Sequence, residues 1–263
     1  MRNLKAVRND PFLLTQRYAD GTPLKSGRRR SPIPAPPPPK RHPYDQWSPD
    51  ARALDLVGDK WTLLIIRDLA AGPRRFVELQ RTLPGISTEQ LRSRLNRMVA
   101  DGLLTRQRYR EVPPRVDYEL TDRSRELMPV IGALARWGYD WTWTAPRSGE
   151  DVNVGAIFRT APGLLSPRRG VKGSVELVVT DDRNGSRSYV VTLGGGEATI
   201  SEAPVDGADA RVAGSVAHWT RALGPDGDTS ALRFEGDRAL ADEVVVPFVA
   251  AAERAERAER AAA

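Results

Sequence analysis

A chain of 263 residues, 40% hydrophobic and 28% charged, has length for about two domains and no run of about 18 apolar residues that would span a membrane. It has no cysteine, which excludes disulfides, thiolate nucleophiles and cysteine zinc sites, and its two histidines, His42 and His218, lie far apart without acidic company, so neither a catalytic triad nor a histidine-rich metal centre is expected. The formal charge of +6 is uneven: residues 1 to 46 hold 10 basic and 3 acidic side chains, 47 to 146 hold 16 and 13, and 147 to 263 hold 14 and 18, so a polyanion would be gripped by the front.

These counts argue against an enzyme and against a bound cofactor. The apolar patch Pro11 to Leu14 is too short for a signal peptide, and a cytoplasmic protein is expected. Arg supplies 35 of the 40 cations. It suits bidentate phosphate and guanine contacts, although a GC-rich genome produces the same excess.

Residues 1 to 46 contain Arg28-Arg29-Arg30 and a proline run from Pro32 to Pro39, which favours an extended chain, so a disordered basic Pro-rich tail is expected. It is either a cationic arm, a solvated leader or an over-long start. From Ser48 the pattern turns helical. Leu54, Val57, Trp61, Leu64, Ile65 and Leu69 recur at helical spacing up to Gly72-Pro73 and predict one core helix. A short helix follows over Arg75 to Leu83. A third begins at Ser87, where Ser87-Thr88-Glu89-Gln90 fits a capping box, and Leu91, Leu95, Met98 and Val99 form its apolar stripe. At 100° per residue that stripe leaves Glu89, Gln90, Ser93 and Arg97 on the opposite face, with Arg94 and Asn96 at the margins.

Leu103 to Arg110 alternates as a strand, a tip at Glu111 to Arg115 carries two prolines, and Val116, Tyr118 and Leu120 return as its partner. A fourth helix is predicted from Thr121 to about Trp141, bent at Pro129. Three helices, strand, wing, strand and helix make a winged helix-turn-helix, expected over residues 47–145. In such a fold the third helix enters the DNA major groove with the wing alongside. Gln90 is then placed to pair with adenine, Arg94 or Arg97 with guanine and Glu89 with cytosine, while Ser93 contacts base or phosphate; Ser87 and Thr88 lie at the same helix start. Arg74 and Arg75 are assigned to phosphate and Arg115 to the minor groove. For each, a solvated surface charge is the alternative.

The segments Ala51 to Trp61, Gly72-Pro73-Arg74-Arg75-Phe76, Leu83 to Ser87 and Val112 to Thr121, in that order and spacing, closely resemble HxlR-type bacterial transcriptional regulators. The resemblance implies a homodimer on double-stranded DNA, with the first and last helices of the domain at the interface. Many relatives carry a cysteine just before the first helix. Here that position is Ser48, which puts thiol sensing out of reach.

Residues 142 to 170 read as a linker with a short apolar piece, Val152 to Leu165, for which a helix is one reading. Strands are then predicted at 175–180, 188–193, 197–201 and 210–213, a helix from Ser215, a fifth strand at 232–235 and a last helix from Asp237. The whole is α+β: a smaller sheet-and-helix domain, residues 146–250, follows the winged helix. Its order resembles sterol carrier protein type-2-like domains, most visibly in Asp209 to Gly214 through Trp219 and in Leu232 to Leu240. That resemblance implies an apolar small-molecule effector held between sheet and helices, with Trp219, Leu223 and Phe248 as lining; plain core is the competing reading for each. Asp226 and Asp228 lack the other ligands of a calcium loop and read as a turn. The triple Ala-Glu-Arg repeat over 252–260 has no apolar stripe, and 251–263 reads as a helical tail. The expected function is ligand-modulated DNA-binding regulation; the alternative is a lipid-binding protein whose winged helix only dimerises.

Overall fold

The computed structural model describes residues 43–109, 115–181, 185–203 and 207–249, and the backbone of Ser31–Pro32. Most of the expected tail, the wing tip at 110–114 and the Ala-Glu-Arg repeat lie outside the described residues.

The single first helix expected from the apolar spacing is two. α1 (Pro49–Val57) is capped by Ser48, whose hydroxyl accepts from the Ala51 N–H, and ends at Gly58, whose N–H returns to the Leu54 carbonyl. α2 (Thr62–Leu69) restarts beyond Asp59, whose carboxylate accepts the N–H groups of Trp61 and Thr62 at 2.8 and 3.1 Å. The apolar periodicity runs across the break and hides it; Gly58-Asp59 is the local signal.

Next come β2 (Arg74–Arg75), α3 (Phe76–Thr82), α4 (Thr88–Ala100), β3 (Leu104–Tyr109) and β4 (Arg115–Leu120). β3 and β4 pair antiparallel from Leu104↔Leu120 to Tyr109↔Arg115, and β2 flanks β4. On the outer edge β1 (Ser31–Pro32) pairs with β3 at Ser31↔Arg108, an edge position that tolerates proline. The fourth helix also divides, into α5 (Asp122–Arg125) and α6 (Met128–Trp141). Pro129 lies in the first turn of α6, where its missing N–H costs nothing, and does not bend a continuous helix. Ile65, Ile66, Leu79, Leu91 and Leu95 fill the core beneath.

The stretch expected as a linker is packed structure. It contains α7 (Val154–Phe158) and α8 (Ala161–Leu164), and α8 lies against α6. A Cβ on Gly132 would fall 1.9 Å from the Gly163 carbonyl oxygen, and one on Gly163 would fall 1.8 Å from that of Met128, so only the glycine pair permits this approach. Arg136 Nη1 secures it by donating to the carbonyls of Gly163 and Leu164 at 3.2 and 3.1 Å.

The back unit continues with β5 (Gly173–Asp181), β6 (Gly185–Gly194), β7 (Glu197–Ser201), β8 (Ala210–Ser215), α9 (Val216–Leu223), β9 (Arg233–Gly236) and α10 (Arg238–Val249). Its sheet runs β7-β6-β5-β8-β9, antiparallel except for the β5–β8 pair. Phe158 centres the core, with Trp219, Tyr189 and Phe248 rings at 4.8, 5.5 and 5.9 Å.

Buried charge joins the two units. Arg159, at the end of α7 and fully buried, reaches Asp68 of α2 at 3.7 Å and Glu202, just after β7, at 3.1 Å. Arg67 pairs with Asp68 at 2.9 Å and Arg74 with Glu202. Removing one partner of a buried pair strands the other without water, so Arg159→Met is expected to destabilise the fold by about 3–5 kcal/mol. Urea denaturation checks this; a midpoint equal to wild type would show that the cluster is not a structural joint.

Candidate nucleic-acid interface

The turn between α3 and α4 is fixed by side chains that sequence alone assigned to DNA. Ser87 Oγ accepts from the Gln90 N–H and Gln90 Oε1 accepts from the Ser87 N–H, both at 3.1 Å, completing the capping box. Thr88 Oγ1 accepts from Gln80 Nε2 at 2.8 Å, tying α4 to α3. Gln90 was given two roles, cap and adenine reader, and in the free protein its carboxamide oxygen is committed to the cap.

The outward face of α4 carries Glu89, Arg92 and Ser93, all exposed. Arg92 meets Glu89 at 3.0 Å with 60% of its side chain in water, the kind of surface pair worth little and easily exchanged for a phosphate or base. Sequence reasoning missed Arg92. On an ideal helical wheel it falls on the flank of the apolar stripe, and its place beside Ser93 is the signal that could have found it.

Arg97 is corrected. It was expected opposite the apolar stripe, yet only 10% of its side chain is exposed, and Nε donates to Asp101 Oδ2 at 3.2 Å. The wheel fails at the end of α4, where Arg97 turns back to Asp101, the residue that caps the helix. Arg94 is half-buried and bridges to Asp59, the restart residue of α2, at 2.9 Å.

Arg74 is corrected as well. Its guanidinium turns toward the back unit, pairing with Glu202 and donating from Nε to the Asp68 carbonyl at 2.8 Å, so it does not face outward to a phosphate. Burial, and then the neighbouring Arg159, lower its pKa below the ordinary arginine value. Arg75, its neighbour in β2, is exposed and lies 4.0 Å from Asp117. Arg115 stands in β4, short of the expected wing tip, and pairs with the same buried Asp117 carboxylate at 2.7 Å while lying over the Tyr109 ring. Two cations thus converge on one acid at the base of the wing.

The effector residues also move. Trp219 and Phe248 are packed on Phe158, and Trp219 Nε1 donates to the Val178 carbonyl at 2.8 Å, so both are core. A sheet covered by helices needs them simply to fold. Of the three, Leu223 lines a cavity, and that cavity lies between the units.

Residues 56–145 match the HxlR-like helix-turn-helix family. Over 93 residues the chain is 43% identical to an uncharacterized HTH-type transcriptional regulator of Synechocystis sp., covering 35% of this chain and 69% of that protein. A similarly described protein of Halalkalibacterium halodurans is 43% identical over 94 residues, 35% of this chain and 83% of its own. One of Mycobacterium tuberculosis is 46% identical over 90 residues, 34% of this chain and 56% of its own. The family match stops at residue 145, before α7.

The two classes of arginine on α4 separate by stability. Arg97→Ala removes a buried side chain and its ion pair with Asp101 and is expected to destabilise the fold by about 1–3 kcal/mol, whereas Arg92→Ala should stay within about 0.5 kcal/mol of wild type. Chemical denaturation of both variants measures the difference, and equal losses would contradict the placement of Arg97.

Proposed function

This chain belongs to the HxlR-like helix-turn-helix family, and we propose from that premise that it is a cytoplasmic DNA-binding transcriptional regulator acting as a homodimer. The observation that carries the DNA reading is α4 itself: a side-chain-capped helix whose outward face presents Glu89, Arg92 and Ser93, with Arg75 and Arg115 at the base of the adjacent wing. Placed in a major groove, Arg92 and Ser93 meet base edges, and Arg75 and Arg115 meet the backbone beside them. The curated relatives are described as HTH-type transcriptional regulators, which favours the same reading.

The dimer reading rests on α6. Val130, Leu134, Trp137 and Trp141 follow one another at intervals of four, three and four, the spacing of a coiled-coil seam, and are 50% to 64% exposed. Leu54 of α1 is also exposed. An apolar row of that kind calls for a partner, and a second α6 related by a two-fold axis matches it. The back unit is read as the modulating part, because α8 grips the same helix that bears the seam.

In a gel shift with the upstream region of its own gene, wild type is expected to bind that DNA in preference to random duplex, and Arg92→Ala to lose about 1–3 kcal/mol at the preferred site. Binding indifferent to sequence would remove the regulator reading. Light scattering at micromolar concentration is expected to give a dimer for wild type and a monomer for Leu134→Ser/Trp137→Ser; a double variant that remains dimeric would place the interface elsewhere.

A further inference from the structure

A half-open cavity of about 580 Å³ lies where the front and back units meet. The front unit supplies Trp61, Leu64 and Leu83 to its lining, and the chain beyond α6 supplies Trp143, Ile157 and Leu223. Trp143 is held in place: its Nε1 donates to the Leu223 carbonyl at 2.8 Å and its ring meets Tyr139 edge-on at 5.3 Å. Volume and lining match the usual dimensions of small-molecule sites, roughly 300–1,000 Å³ with mostly apolar walls and few polar groups.

The polar groups of the lining identify the class of occupant. Three of its threonine hydroxyls are turned to the backbone: Thr82 donates to the Leu79 carbonyl at 3.1 Å, Thr142 to that of Gly138 at 2.9 Å and Thr220 to that of Val216 at 2.7 Å. With the Trp143 indole N–H also engaged, the walls offer a ligand few hydrogen bonds. A polar molecule entering them would give up its water without replacement, a cost that an apolar one does not meet. The charges at the rim select no ion either. Lys60 and Arg147 stand with Glu150 and Asp151, all four exposed, so two positive charges are balanced by two negative ones, and the remaining lining cation, Arg67, is paired with Asp68 at 2.9 Å.

We propose that this cavity binds an uncharged aromatic molecule, its ring lodged among Trp61, Trp143 and Ile157. Aromatic pairs gain beyond the apolar area they bury, which favours a ring over an aliphatic body of equal size beside two indoles. The site differs from the one expected between sheet and helices, whose Trp219 and Phe248 are packed core. It deepens the reading of the back unit as a modulator. Thr82, Leu83 and Pro84, which line the cavity, lie just before Ser87, the cap of α4, so an occupant touches the segment that leads into the reading helix. Any effect on DNA rests on that reading; binding itself does not.

The test uses the full chain without DNA, so its failure is distinguishable from failure of the DNA reading. Uncharged N-phenyl-1-naphthylamine is titrated and followed by its own fluorescence, with 8-anilinonaphthalene-1-sulfonate, the same rings bearing a charge, as the comparison. Saturable binding of one neutral probe per chain is expected, with the sulfonate bound no more tightly. Ala156→Trp and Leu64→Trp, both at half-buried lining positions, fill the cavity from opposite units and should each weaken the neutral probe at least about tenfold. Circular dichroism identifies the folded variants, and either one decides. Neutral-probe binding that does not saturate, tighter binding of the sulfonate, or undiminished neutral-probe binding in a folded variant overturns the proposal.

Discussion

Arg159 is a guanidinium with no exposed surface, and the way the rest of the molecule is assembled follows from where its partners come from. Asp68 belongs to the second helix of the DNA-reading unit, Glu202 to the far edge of the back sheet, and Tyr189, whose hydroxyl lies 3.4 Å away, to the strand beside that edge. A charge removed from water needs close opposite charges and hydrogen bonds, and well-packed apolar side chains of similar volume would often be as stable. What the ionic solution adds is direction. Arg159 is compensated only when both units approach in one orientation, whereas an apolar contact tolerates sliding. Compensation is also incomplete: Asp68 Oδ2 and Arg159 Nε have no hydrogen-bond partner among the described residues, so the joint is close to balance.

The same joint divides the arginines of the front unit into structural and available ones. Arg67 and Arg74 are drawn toward Asp68 and Glu202, Arg94 toward Asp59, and Arg97 toward Asp101. More exposed are Arg92, whose pair with Glu89 lies at the surface, and Arg75 and Arg115, which share the buried Asp117 carboxylate. Nothing in residue type distinguishes the two groups, since both are arginines on short elements near the helix-turn-helix. The distinction is how far the guanidinium is withdrawn from water: Arg67, Arg74, Arg94 and Arg97 are 10–30% exposed, Arg75, Arg92 and Arg115 39–60%.

That is also the boundary of what the sequence could disclose. The capping box at Ser87 and Gln90 is local, four residues long, and was legible along with the order of helices, strands and wing. The α1–α2 break was legible in principle at Gly58-Asp59 but masked by an apolar spacing that continues across it. Arg97's partner Asp101, four residues on, could have been read as an i,i+4 pair, whereas Arg74 was not legible as a buried group because its partner is a carboxylate 128 positions away. Within the expected linker the helical reading of Val152 to Leu165 fits α7 and α8, but their packing on α6 was not legible, because the Gly132–Gly163 approach is a contact between distant positions. For Trp219 and Phe248 the residue type was right for either core or lining, and only the placement of Phe158 decides.

α6 bears two surfaces with different owners. Met128 and Gly132, with Arg136, accept α8 and fix the back unit, while Val130, Leu134, Trp137 and Trp141 face outward in a row. Tyr139, on the inner side, is already part of the back core. A small rotation or shift of α8 therefore has no slack in which to dissipate, because a glycine–glycine contact leaves no flexible side chain between the backbones, and α6 must move with it. In a dimer joined along the outer row, that movement alters the angle between two α6 helices and hence the spacing of the two α4 helices. Spacing between reading helices is what a duplex measures, so under the proposed dimer the close α6–α8 contact would couple the back unit to DNA without a change within α4 itself.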